Sequence, residues 1–163
     1  MFCIEVFTKN EFKDSRGKHV LSDIISLDFN CVNKVEYCSL YLIDGKLFLK
    51  EVKLIASCLL SDKITESYSI TKYDTENPSY LFNNNIVTSK AVIDVLYKKG
   101  VTDTVSASVI KAVKDLGINK NIEVKTGHRY YLYGKLSKTI LDGIACKLLS
   151  NTLIQEYKVN GLK

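Results

Sequence analysis

The sequence predicts an α+β protein made of two tandem β-α-β-α-β repeats, with antiparallel sheets, helices on one face and a pseudo-twofold axis. The chain aligns with itself without a gap when it is shifted by 89 residues. Within each copy, apolar residues alternate as in strands and then recur at helical spacing. Of the 163 residues, 46% are hydrophobic and 25% are charged, which is enough apolar surface for a core.

The internal repeat places residues 4–70 on residues 93–159, with identical residues at 18 of 67 positions. Most identical pairs are apolar or glycine, so the core positions repeat, and we infer that the structure repeats with them. The sequence therefore divides into a first repeat over 1–70, a connector over 71–89 and a second repeat over 90–163. The connector carries the single proline, and we expect its Tyr80-Leu81-Phe82 run to hold it against the body.

The first half of each repeat reads as strand, helix, strand. Alternation predicts opening strands over 4–9 and 93–98. Asp14 and Asp103 are then predicted N-caps of a helix, which Gly117 ends in the second copy. Val, Tyr and Ile predict long strands over 32–43 and 121–133, and Cys38 and Gly127 occupy matching positions where we expect a bend or bulge.

The second half of each repeat reads as a helix and a short strand. The helices are predicted over 48–61 and 138–150, with Ser137 as an N-cap, and the strands over 64–70 and 153–159. Because each helix has one apolar stripe, we expect the helices on one face of the sheet. The residues expected on the opposite face are Phe7, Leu40, Leu42, Leu96, Tyr131 and Tyr133. Units of this size have thin cores, so we expect the repeats to join edge to edge or face to face.

Charge is concentrated in the second repeat, which has 13 basic and 6 acidic residues, while residues 1–70 have 9 basic and 10 acidic. This asymmetry points to an acidic partner surface or a phosphate-bearing ligand. The five cysteines form no CxxC pair, so we expect reduced thiols, buried or half-buried, with a nucleophilic cysteine as the alternative. With no apolar run of membrane-spanning length and no secretory signal, a cytoplasmic protein is expected.

Motifs of common catalytic sites do not occur in the sequence. It has neither the glycine-rich phosphate loop nor the G-x-G-x-x-G turn. The two histidines, His19 and His128, have no acid at a spacing that suits a catalytic dyad. Capping alone accounts for the repeated Asp14 and Asp103. We therefore assign no catalytic residue and no metal ligand.

The second repeat carries the runs KKGVTDTVSASVIKAVKDLGI, VKTGHRYYL and IACKLLSNTLIQEY. These runs resemble the PurS family, the small subunit of phosphoribosylformylglycinamidine (FGAM) synthase. The matching residues are Lys98, Gly100, Val101, Asp103, Leu116, Gly117, Val124, Gly127, Leu148, Leu149, Asn151 and Tyr157. The first repeat matches more loosely, at Phe12, Asp14, Gly17, Leu27, Val35, Gly45, Leu59, Leu60 and Tyr68. Departures from the family pattern are Thr104 for proline, Ser106 for glycine, Lys125 for arginine and His128 for lysine.

The resemblance implies a fused PurS dimer, similar to the N-terminal domain of the large single-chain enzyme. Such a subunit is non-catalytic and bridges the PurL synthetase and PurQ glutaminase subunits, supporting ammonia transfer in purine biosynthesis. By this resemblance the chain has no activity alone. The assembled complex uses ATP, magnesium and glutamine, and we expect none of them to bind this chain. Further self-association of the fused dimer stays open.

Candidate partner-interface residues lie in the second repeat. They are the basic residues Lys98, Lys99, Lys125, His128 and Arg129 and the tyrosines Tyr131 and Tyr133, since tyrosine and arginine are enriched in interface hot spots. Two alternatives remain: a regulatory domain that binds a small ligand, and a basic RNA-binding domain. The absence of an RNP1-like string disfavours a nucleic-acid partner.

Overall fold

The computed structural model describes residues 1–72 and 88–162. Within them, one six-stranded antiparallel sheet carries the helices on one face, which confirms the predicted fold class. The strands are β1 (Phe2–Thr8), β2 (Val32–Gly45), β3 (Glu66–Lys72), β4 (Thr88–Tyr97), β5 (Ile122–Leu136) and β6 (Gln155–Leu162). The helices are α1 (Ser15–Ser26), α2 (Leu49–Ile55), α3 (Thr104–Asp115) and α4 (Lys138–Ile144).

The two repeats join edge to edge through their longest strands. The strand order is β3-β1-β2-β5-β4-β6, so that each repeat contributes three neighbouring strands. In the antiparallel pairing of β2 with β5, Ser39 lies opposite His128. These two residues occupy equivalent positions in the repeats, 89 residues apart. The pseudo-twofold axis therefore passes between them, and the face-to-face arrangement is not the one observed.

Two hydrophobic cores lie between the sheet and the helices, and each contains residues from both repeats. In the first core, Ile24 of α1 packs with Ile93 of β4 and Leu141 of α4. In the second, Val113 of α3 packs with Ile4 of β1 and the side chains of α2. Helix α1 of the first repeat thus packs into the core of the second repeat, and α3 of the second repeat packs into the core of the first. Neither repeat buries its apolar face alone.

Asp14 and Asp103 cap the start of α1 and α3, and each also accepts a hydrogen bond from the backbone of a neighbouring strand. Asp14 accepts hydrogen bonds from the N–H of Gly17 at 2.8 Å and from the N–H of Tyr37 at 3.0 Å. Asp103 accepts from the N–H groups of Ser106 and Thr126, both at 2.9 Å. The predicted N-caps are confirmed. The ladders of β1 with β2 and of β4 with β5 end just before Tyr37 and Thr126. The two carboxylates therefore accept hydrogen bonds from strand N–H groups that have no partner on the neighbouring strand.

The second helix of each repeat ends in a π-helical turn, Ala56–Leu60 after α2 and Ala145–Leu149 after α4. The serine that follows donates both its N–H and its hydroxyl to the carbonyl oxygen that opens the turn. Ser61 does so to Ala56, and Ser150 to Ala145. The predicted spans 48–61 and 138–150 are helical for most of their length, and Ser137 is the N-cap of α4 as expected.

The bend expected at Cys38 and Gly127 is absent, and this prediction was wrong. The ladder between β2 and β5 runs through both residues, and its register shifts only between Val32 and Lys34. Glycine is needed at position 127 because a Cβ there would collide with the carbonyl oxygen of Val95 on the adjacent strand. A close approach of two backbones, rather than a bulge, explains this glycine.

The strands differ in extent from the predictions. The closing strands begin two residues later than expected, at Glu66 and Gln155, because turns occupy the preceding residues. β3 and β4 extend into both ends of the segment assigned to the connector. The Tyr80-Leu81-Phe82 contact lies outside the described residues, and the division into 1–70, 71–89 and 90–163 stays a prediction.

All five cysteines are free. Cys3 and Cys38 are buried and Cys31 is half-buried, whereas Cys58 and Cys146 are exposed, contrary to the expectation for those two. Burial raises the pKa of Cys3 to about 11 and that of Cys38 to about 12, so neither is a thiolate near neutral pH. In the described part of the chain, no helix has the length and apolar character needed to cross a membrane.

Candidate functional site

The helix-free face of the sheet carries a buried charge cluster at its centre. The Arg129 guanidinium on β5 donates to both carboxylate oxygens of Asp94 on β4, at 2.6 and 2.7 Å. Its remaining nitrogen donates to Glu5 on β1 at 2.5 Å, reaching across β2. The Tyr131 hydroxyl donates to the other oxygen of Glu5 at 2.7 Å. This cluster, Glu5, Asp94, Arg129 and Tyr131, is called the central ion cluster below.

The charges of the central ion cluster are shielded from solvent. The side chains of Arg129, Glu5 and Asp94 are only 13%, 11% and 1% exposed. Burial alone lowers the pKa of Arg129, but hydrogen bonds and charges from Asp94 and Glu5 raise it above its ordinary value. Burial and the hydrogen bond to Glu5 raise the pKa of Tyr131. The guanidinium therefore stays charged, and the cluster ties the two repeats together.

A second polar group lies beside the cluster on the same face. The Tyr133 hydroxyl donates to Glu36 at 2.7 Å, and Lys34 donates to the other oxygen of Glu36 at 2.6 Å. The Lys90 ammonium lies 4.9 Å from the ring centre of Tyr131 and 5.2 Å from that of Tyr133. Burial raises the pKa of Glu36, but these hydrogen bonds and the lysine charges lower it overall. The helix-free face thus presents paired rather than free charges near its centre.

His128 lies on the opposite, helix-covered face, at the pseudo-twofold axis. Its Nδ1 is 2.8 Å from the hydroxyl of Tyr37, which also accepts a hydrogen bond from Arg16 at 2.7 Å. Burial lowers the pKa of His128, and the charge of Arg16 lowers it further. When Nδ1 of a neutral His128 carries no proton, it accepts a hydrogen bond from the Tyr37 hydroxyl, and the three side chains form a hydrogen-bonded chain between the repeats.

The candidate lysines have different environments. Lys98 donates to the carbonyl oxygen of Thr152 and so holds the loop before β6, while Lys9 holds the matching loop before β3. Lys125 lies 3.8 Å from Glu123, and both are exposed. Lys99 is exposed in the turn after β4. Of the seven candidates, Lys99 and Lys125 are the exposed cations whose ammonium groups are not committed to a buried or backbone partner.

The seven candidates therefore do not form one contiguous surface, and the structure adds Glu5 and Asp94, which the sequence analysis did not select. A signal for them was present. The two acids occupy equivalent strand positions, both turned away from the helices, and Arg129 is the single arginine in the sequence of the second repeat. No three His, Cys, Asp or Glu side chains lie together in a metal-binding arrangement in residues 1–72 and 88–162.

The fold and the central ion cluster define a class of protein: a tandem-repeat α+β domain whose copies share cores as the subunits of a dimer do. Residues 90–163 match the family model for PurS, phosphoribosylformylglycinamidine (FGAM) synthase. The second repeat is therefore similar to the PurS family, in agreement with the resemblance seen in the sequence. No curated protein matches the chain significantly.

Proposed function

We propose that this chain is a non-catalytic assembly subunit of FGAM synthase that bridges a PurL-like synthetase and a PurQ-like glutaminase. The observation that carries the proposal is the PurS match over the whole second repeat. ATP, magnesium and glutamine would bind the partner subunits, while this chain holds those subunits in the arrangement that ammonia transfer needs.

The shape of the chain supports a bridging role. A body with a pseudo-twofold axis offers two related but unlike surfaces, and the repeats differ strongly in charge. A symmetric dimer offers the same surface twice, whereas this chain is suited to two different partners. Lys99 and Lys125 on the basic repeat are suited to an acidic partner surface, where exposed charges act mainly on the association rate.

The test is glutamine-dependent amidotransfer by the matching synthetase and glutaminase, with and without this chain, alongside the mass of the complex. We expect activity and a three-component complex only when the chain is present. Unchanged activity and no complex would overturn the bridging role and leave only the similarity of the second repeat to the PurS family.

The double variant Lys99→Glu/Lys125→Glu tests the surface within the same assay. We expect it to weaken complex formation by about tenfold, with stronger effects at low salt. The matched control is Lys111→Glu/Lys114→Glu, which makes the same charge change in the same repeat on the exposed side of α3. Equal weakening by both double variants would mean that net charge, rather than this surface, governs the association.

A further inference from the structure

A groove of about 700 Å³ opens on the first repeat where β1 ends and β2 continues. Its walls are the loop between β1 and α1, the first turns of α1 and the β2 segment from Lys34 to Cys38. Pockets that hold small molecules commonly measure about 300–1,000 Å³. The groove therefore has the volume of a small-molecule site.

Four lysines line this groove, and two of them have no partner in the described part of the chain. Lys9 donates to the carbonyl oxygens of Lys63 and Ile64, and Lys34 pairs with Glu36. The ammonium groups of Lys13 and Lys18 have no partner among residues 1–72 and 88–162.

The carboxylates of the groove wall are already satisfied by other groups. Glu5 binds Arg129 and Tyr131 in the central ion cluster, and Glu36 binds Lys34 and Tyr133. Asp14 binds the backbone N–H groups of α1 and β2. None of these acids forms an ion pair with Lys13 or Lys18, so within residues 1–72 and 88–162 both ammonium groups are free to bind an anion.

The equivalent place in the second repeat has lost this character. The lysines at positions 9, 13, 18 and 34 correspond to Lys98, Thr102, Ala107 and Glu123. The second repeat is the more basic one overall, yet it keeps only one of the four lysines. Its excess charge lies elsewhere on its surface. The cationic groove is therefore a feature of the first repeat and not a by-product of the fold.

Aromatic side chains complete the groove. Phe7 and Phe12 line it beside the lysines, and Phe12 is 42% exposed. Ammonium groups bind phosphate oxygens through charge-assisted hydrogen bonds, and an exposed phenyl ring offers a stacking surface. We propose that this groove binds a small phosphate ester that carries a planar ring, with its phosphate on Lys13 and Lys18 and its ring against Phe12.

The test uses adenosine 5′-monophosphate as the probe and the full chain alone, in calorimetric and NMR titrations. We expect binding that weakens as salt rises. The variant Lys13→Glu/Lys18→Glu should weaken binding by about tenfold or more. The control Lys111→Glu/Lys114→Glu has the same charge change on α3 and should bind as the wild type does. Adenosine, which lacks the phosphate, and ribose 5-phosphate, which lacks the ring, should each bind more weakly.

Three results would overturn this proposal. They are no binding of adenosine 5′-monophosphate by the wild type, unchanged binding by Lys13→Glu/Lys18→Glu, and equal weakening by the control. Ribose 5-phosphate binding as tightly as the nucleotide would overturn the contact with Phe12. Because the titration needs no partner subunit, its failure leaves the proposed bridging function untouched, and the failure of bridging leaves the groove untouched.

Discussion

The two repeats build the same helix start with different contacts. In the first repeat Gly17 lies so close to β2 that a Cβ would stand 2.6 Å from the carbonyl oxygen of Val35. In the second, Ser106 occupies the equivalent position, and its hydroxyl donates to the carbonyl oxygen of Val124 at 2.6 Å. The first repeat has no room for a side chain at this position, whereas the second repeat uses the Ser106 side chain as a hydrogen-bond donor to the equivalent carbonyl oxygen. The backbone geometry is kept while the contact that maintains it has changed.

The central ion cluster is a second place where the copies differ. Glu5 and Asp94 are equivalent by the repeat, but the position equivalent to Arg129 holds Leu40. One guanidinium therefore serves both acids, where strict symmetry would supply two. The copies therefore depend on each other, because Glu5 of the first repeat is paired by Arg129 and Tyr131 of the second.

The largest effect is expected from making these two positions alike with Arg129→Leu. This change leaves two buried carboxylates without a cation, and we expect a loss of about 3–5 kcal/mol in the free energy of unfolding. Urea denaturation measures it. Adding Glu5→Gln and Asp94→Asn should restore part of the loss, since neutral amides no longer need the guanidinium. A loss below about 1 kcal/mol would contradict a desolvated cluster.

The helix starts give the next effect. Gly17→Ala places a Cβ against Asp14 and Val35, and we expect it to cost about 1–3 kcal/mol. Ser106→Ala leaves the Val124 carbonyl without its donor, which costs about 1–2 kcal/mol. Ser108→Ala, exposed on the same helix, is the control and should stay within about 0.5 kcal/mol of wild type. Thermal unfolding of the three variants measures whether the loss of stability at Gly17 equals the loss at Ser106.

The smallest effect on stability is expected from the pH dependence of His128. This residue lies opposite Ser39 at the pseudo-twofold axis, and of the two only His128 can change its protonation state. Since the folded protein lowers the pKa of His128, the unfolded chain binds its proton more readily. The stability from neutral His128 is thus complete above its ordinary pKa of about 6.5 and is lost as pH falls through the lower, folded value. His128→Gln should flatten this part of the stability-pH curve. The same slope in both proteins would mean that other groups cause it.

The sequence alone predicted the features that depend on local patterning. The repeat, the caps at Asp14 and Asp103 and the division of the sheet residues between two faces are all confirmed. The central ion cluster was not predicted, because its acids lie on β1 and β4 while Arg129 lies on β5. The contact of Arg129 with Glu5 depends on how the repeats join, and the local pattern left edge-to-edge and face-to-face joining equally open. Gly127 was misassigned because its cause, the carbonyl oxygen of Val95, lies on a neighbouring strand that is distant in the sequence.

Because the repeats share their cores, the cores cannot be completed until the second repeat has been synthesised. The central strand pairs join residues about one repeat apart, such as Ser39 and His128, and such non-local contacts form slowly. Ribosomes add about 5–20 residues per second, so β1, β2 and α2 emerge well before α3. During that interval the apolar side of the nascent first repeat lacks part of its native cover, because Val113 has not yet been translated. Part of the apolar surface of the first repeat therefore stays exposed to solvent until the second repeat arrives.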